Sequence, residues 1–151
     1  MSEKIIANNK KAKFEYTILD TLEAGIILLG TEVKSLREGR CSLSEGYITE
    51  ENGELFLKNV NISAYKHGNI NNHEPLRKRK LLLHNKEIGK IIKNIKEKGI
   101  TVIPLKLYFK GSLIKIEIGI CKGKKLYDKR ETIKERDTKK SIEREMKKKY
   151  L

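Results

Sequence analysis

Three histidines and two cysteines are the residues of this chain best suited to grip a metal: His67, His73, His84, Cys41 and Cys121. No two share the short repeated spacing that brings ligands onto one loop or one helix face, so neither a metal nor another cofactor is expected. Cys41 and Cys121 lie far apart and are read as reduced cytosolic thiols. Hydrolytic chemistry would need a carboxylate pair, or a nucleophile beside a base. Asp128 and Glu131 stand three apart and would share a helix face, but Lys129 and Arg130 lie between them and offer ion pairs instead. The string Gly119-Ile120-Cys121-Lys122-Gly123-Lys124-Lys125 has the glycines and lysines of a phosphate loop. It lacks a Ser or Thr after the lysine and the strand–loop–helix frame, so it is not read as a nucleotide site. Nothing in these sets argues for an enzyme.

Cations carry more information. The chain has 34 Lys and Arg against 20 Asp and Glu, a net charge of +14, which points to nucleic acid first and an anionic membrane second. The last thirty residues, 122–151, hold thirteen Lys and Arg against six acids, half of that net charge. So few apolar residues cannot offset the entropy of ordering the segment, so it is expected to order only when a polyanion neutralises it. Ile142, Met146 and Tyr150 recur every four residues, one thin apolar stripe amid lysines. Random placement and a membrane-surface helix are both open readings of that stripe; its thinness favours a helix threaded through RNA. A second basic run, Arg77-Lys78-Arg79-Lys80, is either a solvated strand entry or a phosphate contact, and the shared field with the tail favours the latter. The chain has no Trp and 6% aromatic residues, which argues against a broad base-stacking platform. No apolar run approaches the roughly 20 residues of a membrane span, and Met1–Lys13 has no signal-peptide core; a cytoplasmic monomer is expected.

The elements that must position these residues are mostly strands. Phe14, Tyr16 and Ile18 alternate with Lys13, Glu15 and Thr17; Ile103, Leu105, Leu107 and Phe109 alternate with Val102, Pro104, Lys106, Tyr108 and Lys110; Ile114, Ile116, Ile118 and Ile120 alternate with Lys115, Glu117, Gly119 and Cys121. Each set predicts a half-buried antiparallel strand. Lys110-Gly111-Ser112 and Glu51-Asn52-Gly53-Glu54 are hairpin turns, and Gly25–Leu29, Leu55–Leu57 and Lys80–Leu83 supply shorter strands. Pro104 suits an edge or a bulge. Asn85 can cap a helix with an inward stripe of Ile88, Ile91, Ile92 and Ile95, ended by Gly99. A shorter helix is predicted at Thr31–Glu38, with Val33 and Leu36 inward and Gly39 as its stop. Residues 69–75 read as a polar loop. The fold class is therefore mainly β: a small OB-like β-barrel, six-stranded and closed, with two or three inserted helices and a basic C-terminal tail. Residues 1–121 would form the barrel and 122–151 the tail.

Several strings are recognisable together: Ala7-Asn8-Asn9-Lys10-Lys11-Ala12, Glu23-Ala24-Gly25-Ile26, Gly30-Thr31-Glu32-Val33-Lys34-Ser35-Leu36-Arg37, Lys80-Leu81-Leu82-Leu83-His84 and Gly123-Lys124-Lys125-Leu126-Tyr127-Asp128-Lys129-Arg130. Over nearly its whole length, and in order, the chain resembles the small protein B family, which binds bacterial transfer-messenger RNA in trans-translation. The resemblance implies an OB-like barrel that binds the tRNA-like domain of that RNA and escorts it to stalled ribosomes. It also implies that Glu23, Leu82 and His84 sit where the family contacts the RNA. Lys34, Arg77, Lys78, Arg79, Lys80, Lys124 and Lys125 are the basic residues expected to support that binding. Tyr127, Asp128, Lys129 and Arg130 match the family's decoding-site motif, and Ile142, Glu145 and Met146 match the tail segment that occupies an empty mRNA channel. The partners implied are transfer-messenger RNA and the small-subunit ribosomal RNA. Two rivals stay open: a ribosomal or assembly protein with a basic extension, and an RNA-modifying or RNA-cleaving enzyme.

Overall fold

The first described element is a strand, β1 (Glu3–Asn8), which turns at once into a short helix, α1 (Lys10–Glu15). The computed structural model describes residues 3–67 and 72–123. Asn9 makes the first turn. Its Oδ1 accepts from the Ala12 N–H at 3.2 Å, while its Nδ2 donates to the Pro104 carbonyl at 2.8 Å. A short polar side chain that satisfies a free N–H is what a helix start needs. Phe14 therefore belongs to α1 and not to a strand with Tyr16 and Ile18; the strand, β2 (Tyr16–Ile26), starts only at Tyr16. Then follow α2 (Gly30–Arg37), β3 (Cys41–Ser42), β4 (Tyr47–Glu51), β5 (Glu54–Lys58), β6 (Asn61–Ile62) and β7 (Arg79–Leu82). The last described elements are α3 (Asn85–Lys96), β8 (Ile100–Lys110) and β9 (Leu113–Gly123). Of the expected strand at Gly25–Leu29, only the first two residues belong to β2.

Seven strands form one antiparallel sheet in the order β1-β8-β9-β2-β7-β5-β4, and β3 pairs with β6 alone. The sheet rolls until β4 lies against β8, with α3 packed on both. Among the described residues no ladder joins β4 to β8, so the OB-like roll is mainly β, as expected, but open and seven-stranded where a closed six-stranded barrel was predicted. Packing covers the seam: α3 shields it, which is one way to protect a sheet edge. The hairpin turns fall where the sequence puts them. Asn52 (φ +52°) and Gly53 (φ +79°) make the two positive-φ positions between β4 and β5 that match strand twist, and Gly111 (φ +62°) opens the β8–β9 turn.

The core gathers Leu36, Leu43, Leu55, Leu57, Ile62, Leu81, Ile91, Leu107, Ile116 and Ile118, with Ile88, Ile92 and Ile95 of α3 packed against it. That is the predicted α3 stripe, though the cap is His84 and not Asn85; the Glu87 carboxylate accepts the His84 N–H at 3.2 Å. In β8 the simple alternation breaks. Pro104 pairs with Ile118 and Lys106 with Glu117, so Leu105 is an extra residue and Pro104 flanks a bulge. One inserted residue reverses which side faces in. Leu107 therefore joins the main core, while Ile103 and Leu105 turn to the opposite face and pack with Ala12 and Cys121. The predicted single face of Ile103, Leu105, Leu107 and Phe109 is split there. In α2 the inward residues are Glu32, Ser35 and Leu36, and Val33 is half-buried.

A candidate nucleic-acid interface

Three of the expected RNA contacts come from distant parts of the chain, and strand register brings them together. Gly25 of β2 pairs with Leu82 of β7 on one side and with Lys115 of β9 on the other. Glu23 precedes Gly25 on the same face of β2, and His84 follows β7 as the cap of α3. A shallow groove of about 360 Å³ results, lined by Glu23, Gly25, Leu82, Leu83, His84, Glu87 and Lys115. Gly25 suits its shape: a Cβ there would stand 3.3 Å from the Leu82 Cβ, close enough that Leu82 would have to give by a few tenths of an ångström. Leu82 leaves half its surface in solvent, an apolar ledge beside polar groups. Leu83, Glu87 and Lys115 had no mark in the sequence that tied them to this groove.

Glu23 is held, not free. The Tyr108 phenol donates to its Oε2 at 2.5 Å, and the Lys110 ammonium lies 3.2 Å from Oε1 and 3.3 Å from Oε2. The Tyr108 hydrogen bond, aided by Lys110, outweighs partial burial and holds the Glu23 carboxyl below the ordinary glutamate range. Burial, reinforced by Glu23, pushes the Tyr108 phenol far above its usual value, so it keeps its proton and donates. The groove thus presents a carboxylate acceptor, an apolar ledge, the His84 ring and the Lys115 side chain. Such a set can hydrogen-bond and pack against an exposed nucleotide.

The run Arg77-Lys78-Arg79-Lys80 divides by direction. Arg79 is fully buried: it pairs with Glu32, and its other nitrogens donate to the Val60 carbonyl at 2.8 Å and the Pro75 carbonyl at 3.1 Å. With no surface open to solvent it cannot reach a phosphate, which corrects the expectation for Arg79. Arg77 reaches the other Glu32 oxygen at 2.6 Å. Burial alone would raise the Glu32 carboxyl, but Arg77, the Leu29 N–H and Arg79 together hold it below the ordinary range. Lys78 pairs with Glu51 at 2.5 Å and lies 4.5 Å from the Phe56 ring centre; Lys80 pairs with Glu54 at 3.1 Å. Both are half-exposed, and exposed pairs of this kind are worth roughly 0–1 kcal/mol, so a phosphate can compete for them. Lys34 is exposed on α2, 5.5 Å from the Tyr65 ring centre.

The remaining candidates sort quickly. The His73 ring lies 2.8 Å from the Thr31 hydroxyl and 2.8 Å from the Ile62 carbonyl, so both ring nitrogens have partners inside the protein. Cys41 and Cys121 are free thiols, and burial pushes each up to about 11. Among the described residues no three His, Cys, Asp or Glu side chains cluster to hold a metal, and no helix is long and apolar enough to cross a membrane. Lys124, Lys125, Tyr127, Asp128, Lys129, Arg130, Ile142, Glu145 and Met146 lie outside the described residues, as do residues 69–71 of the 69–75 loop. β9 carries the chain out to Gly123, opposite Tyr16. Lys115 is eight residues earlier on that strand, so the groove and the start of the tail are separated by roughly 26 Å along β9.

The chain is similar to known proteins over most of its length. The family described as SmpB protein matches residues 6–148. The SsrA-binding protein of Lachnoclostridium phytofermentans is 54% identical over 148 residues, covering 98% of this chain and 96% of that protein. That of Geotalea uraniireducens is 56% identical over 142 residues, 94% of each. A chain of the solved structure called "tmRNA-SmpB: a journey to the center of the bacterial ribosome" superposes with a TM-score of 0.68 at 44% identity, covering 80% of this chain and 85% of that one.

Proposed function

Because the chain belongs to the SmpB protein family, we propose that it binds the tRNA-like domain of transfer-messenger RNA and delivers that RNA to stalled ribosomes for trans-translation. The observation that carries this reading is the convergence of Glu23, Leu82 and His84, from β2, β7 and the α3 cap, on one groove with Lys115. Lys34, Lys78 and Lys80 supply exposed cations for the RNA backbone, with Lys124 and Lys125 adding charge where the tail begins. The work is binding and placement in the cytoplasm, and it calls on no catalytic group. Residues 1–121 act as the RNA-holding body. Residues 122–151 act on the ribosome: Tyr127, Asp128, Lys129 and Arg130 at the decoding centre, and Ile142, Glu145 and Met146 along the mRNA channel. When mRNA fills that channel, its bulk and phosphates exclude the tail. When the channel is empty, about six to ten Lys and Arg of the tail can replace counterions on ribosomal RNA, which makes the association strongly salt-dependent.

The test compares binding to transfer-messenger RNA with binding to an unrelated structured RNA of equal length, at about 0.15 M salt. A strong preference for the first is expected. Equal binding of both, in the range of about 10⁻⁴–10⁻⁶ M typical of purely electrostatic association, would overturn the reading.

A further inference from the structure

Glu23 is an unusual residue to find at the centre of an RNA groove in a protein of net charge +14. A carboxylate accepts hydrogen bonds only and repels phosphate, so whatever it meets must offer N–H or O–H donors. Its orientation is set from across the sheet. Tyr108 pairs with Lys115 on β9, and Lys115 pairs with Gly25 on β2, so the three lie in one row over β8, β9 and β2. From β8 the Tyr108 phenol reaches across β9 to Glu23 Oε2, and the residue is 2% exposed. Oε2 takes both Tyr108 and Lys110, whereas Oε1 takes Lys110 alone and keeps lone-pair capacity for a ligand.

We infer that Tyr108 is the positioning residue of this groove: it anchors one oxygen of Glu23 so that the other is presented to donor groups of an unpaired nucleotide, a base edge or a ribose 2′-hydroxyl, and not to phosphate. This rests on the groove being the RNA site. A buried phenol suits the role because it cannot be displaced by the RNA or by salt, unlike Lys110, which is exposed. Preorganisation of this kind raises affinity by removing the ordering cost from the binding step.

The test uses the full chain, its Tyr108→Phe, Glu23→Gln and double variants, and the tRNA-like domain of transfer-messenger RNA as probe, titrated over a range of salt. Tyr108→Phe keeps the buried ring and removes only the hydroxyl. Each single variant is expected to weaken binding about tenfold, as for loss of a hydrogen bond to a charged group. The double variant should bind no worse than Glu23→Gln, because the phenol acts through the carboxylate. The slope of log affinity against log salt should not change, since no phosphate contact is lost. Wild-type binding by Glu23→Gln would overturn the groove reading itself, and the inference with it. Weak binding by Glu23→Gln with wild-type binding by Tyr108→Phe would overturn the positioning role alone, as would losses that multiply in the double variant or a changed salt slope. If thermal melting shows Tyr108→Phe unfolded, Glu23→Asp serves instead: it keeps the charge but withdraws it from the phenol, and should lose as much as Glu23→Gln. Full binding by Glu23→Asp would sink the proposal.

Discussion

Glu32 takes one guanidinium group into the protein's interior and draws a second to its rim, and the energetics of that choice are severe. Its side chain and that of Arg79 are both fully buried, and Arg77 closes the second oxygen from the rim. Removing one partner of a buried pair strands the other charge, which costs about 3–5 kcal/mol. Glu32→Gln should therefore lower unfolding stability by about 3–5 kcal/mol at pH 7, read from urea midpoints. The sign with pH follows from the depressed carboxyl. Its native pKa lies below the ordinary 4.5, so its contribution is complete above that value and fades as pH falls through the native one. The gap between wild type and Glu32→Gln should accordingly narrow at pH 3; an equal gap at both pH values would refute the assignment. The same triad explains why part of the candidate site could not be read from the chain. The run Arg77 to Lys80 displays its charge plainly, but strand periodicity turns Arg79 inward, toward a carboxylate 47 positions away. Glu23, Leu82 and His84 were legible through family resemblance alone, because neither spacing nor composition links residues that only register brings together.

At the scale of elements, the Leu105 bulge is the device on which both faces of the sheet depend. It sends Leu107 to the main core and Leu105 to the smaller cluster over Cys121, and Gly119 on β9 makes room for it. A Cβ at Gly119 would stand 2.7 Å from Leu105 Cδ1, 2.9 Å from its Cγ and 3.2 Å from Cys121 Sγ. Gly119→Ala should destabilise the fold by about 1–3 kcal/mol through overpacking, and the double variant with Leu105→Ala should lose less than the sum of the two single losses, because the contact is vacated. Additive destabilisation in the double variant would mean that the clash is not the cause. The hairpins, the α3 stripe and β9 were all visible in the sequence, because each is specified by neighbours a few positions apart. The bulge was visible only as Pro104, and its reversal of inside and outside along β8 was not. Nor were β1 and α1: Asn9 caps α1 while donating to the Pro104 carbonyl, 95 positions distant, and no local pattern records that bond.

Over the whole molecule, charge and shape are divided between two ends. The groove lies where β2 meets β7, and the chain leaves β9 at Gly123, roughly 26 Å further along that strand. Half the net charge then follows in residues 122–151. On the proposed function the body holds the RNA while the tail engages the ribosome, which predicts that the two activities part cleanly. A chain ending at Leu126 retains the groove with every residue that lines it, so its preference for transfer-messenger RNA over an unrelated RNA should survive. It loses ten of the thirteen tail cations, Lys129 to Lys149. Whatever affinity those cations add to any RNA should go with them, seen as a shallower dependence on salt. Peptide tagging on stalled ribosomes should be abolished, because the residues matching the decoding-site motif and the channel segment are gone. Tagging at the full-length rate would show that the tail is dispensable and that the body alone delivers the RNA. Loss of the RNA preference itself would move specificity out of the groove and into the tail, where charge alone gives no means of choosing one RNA over another.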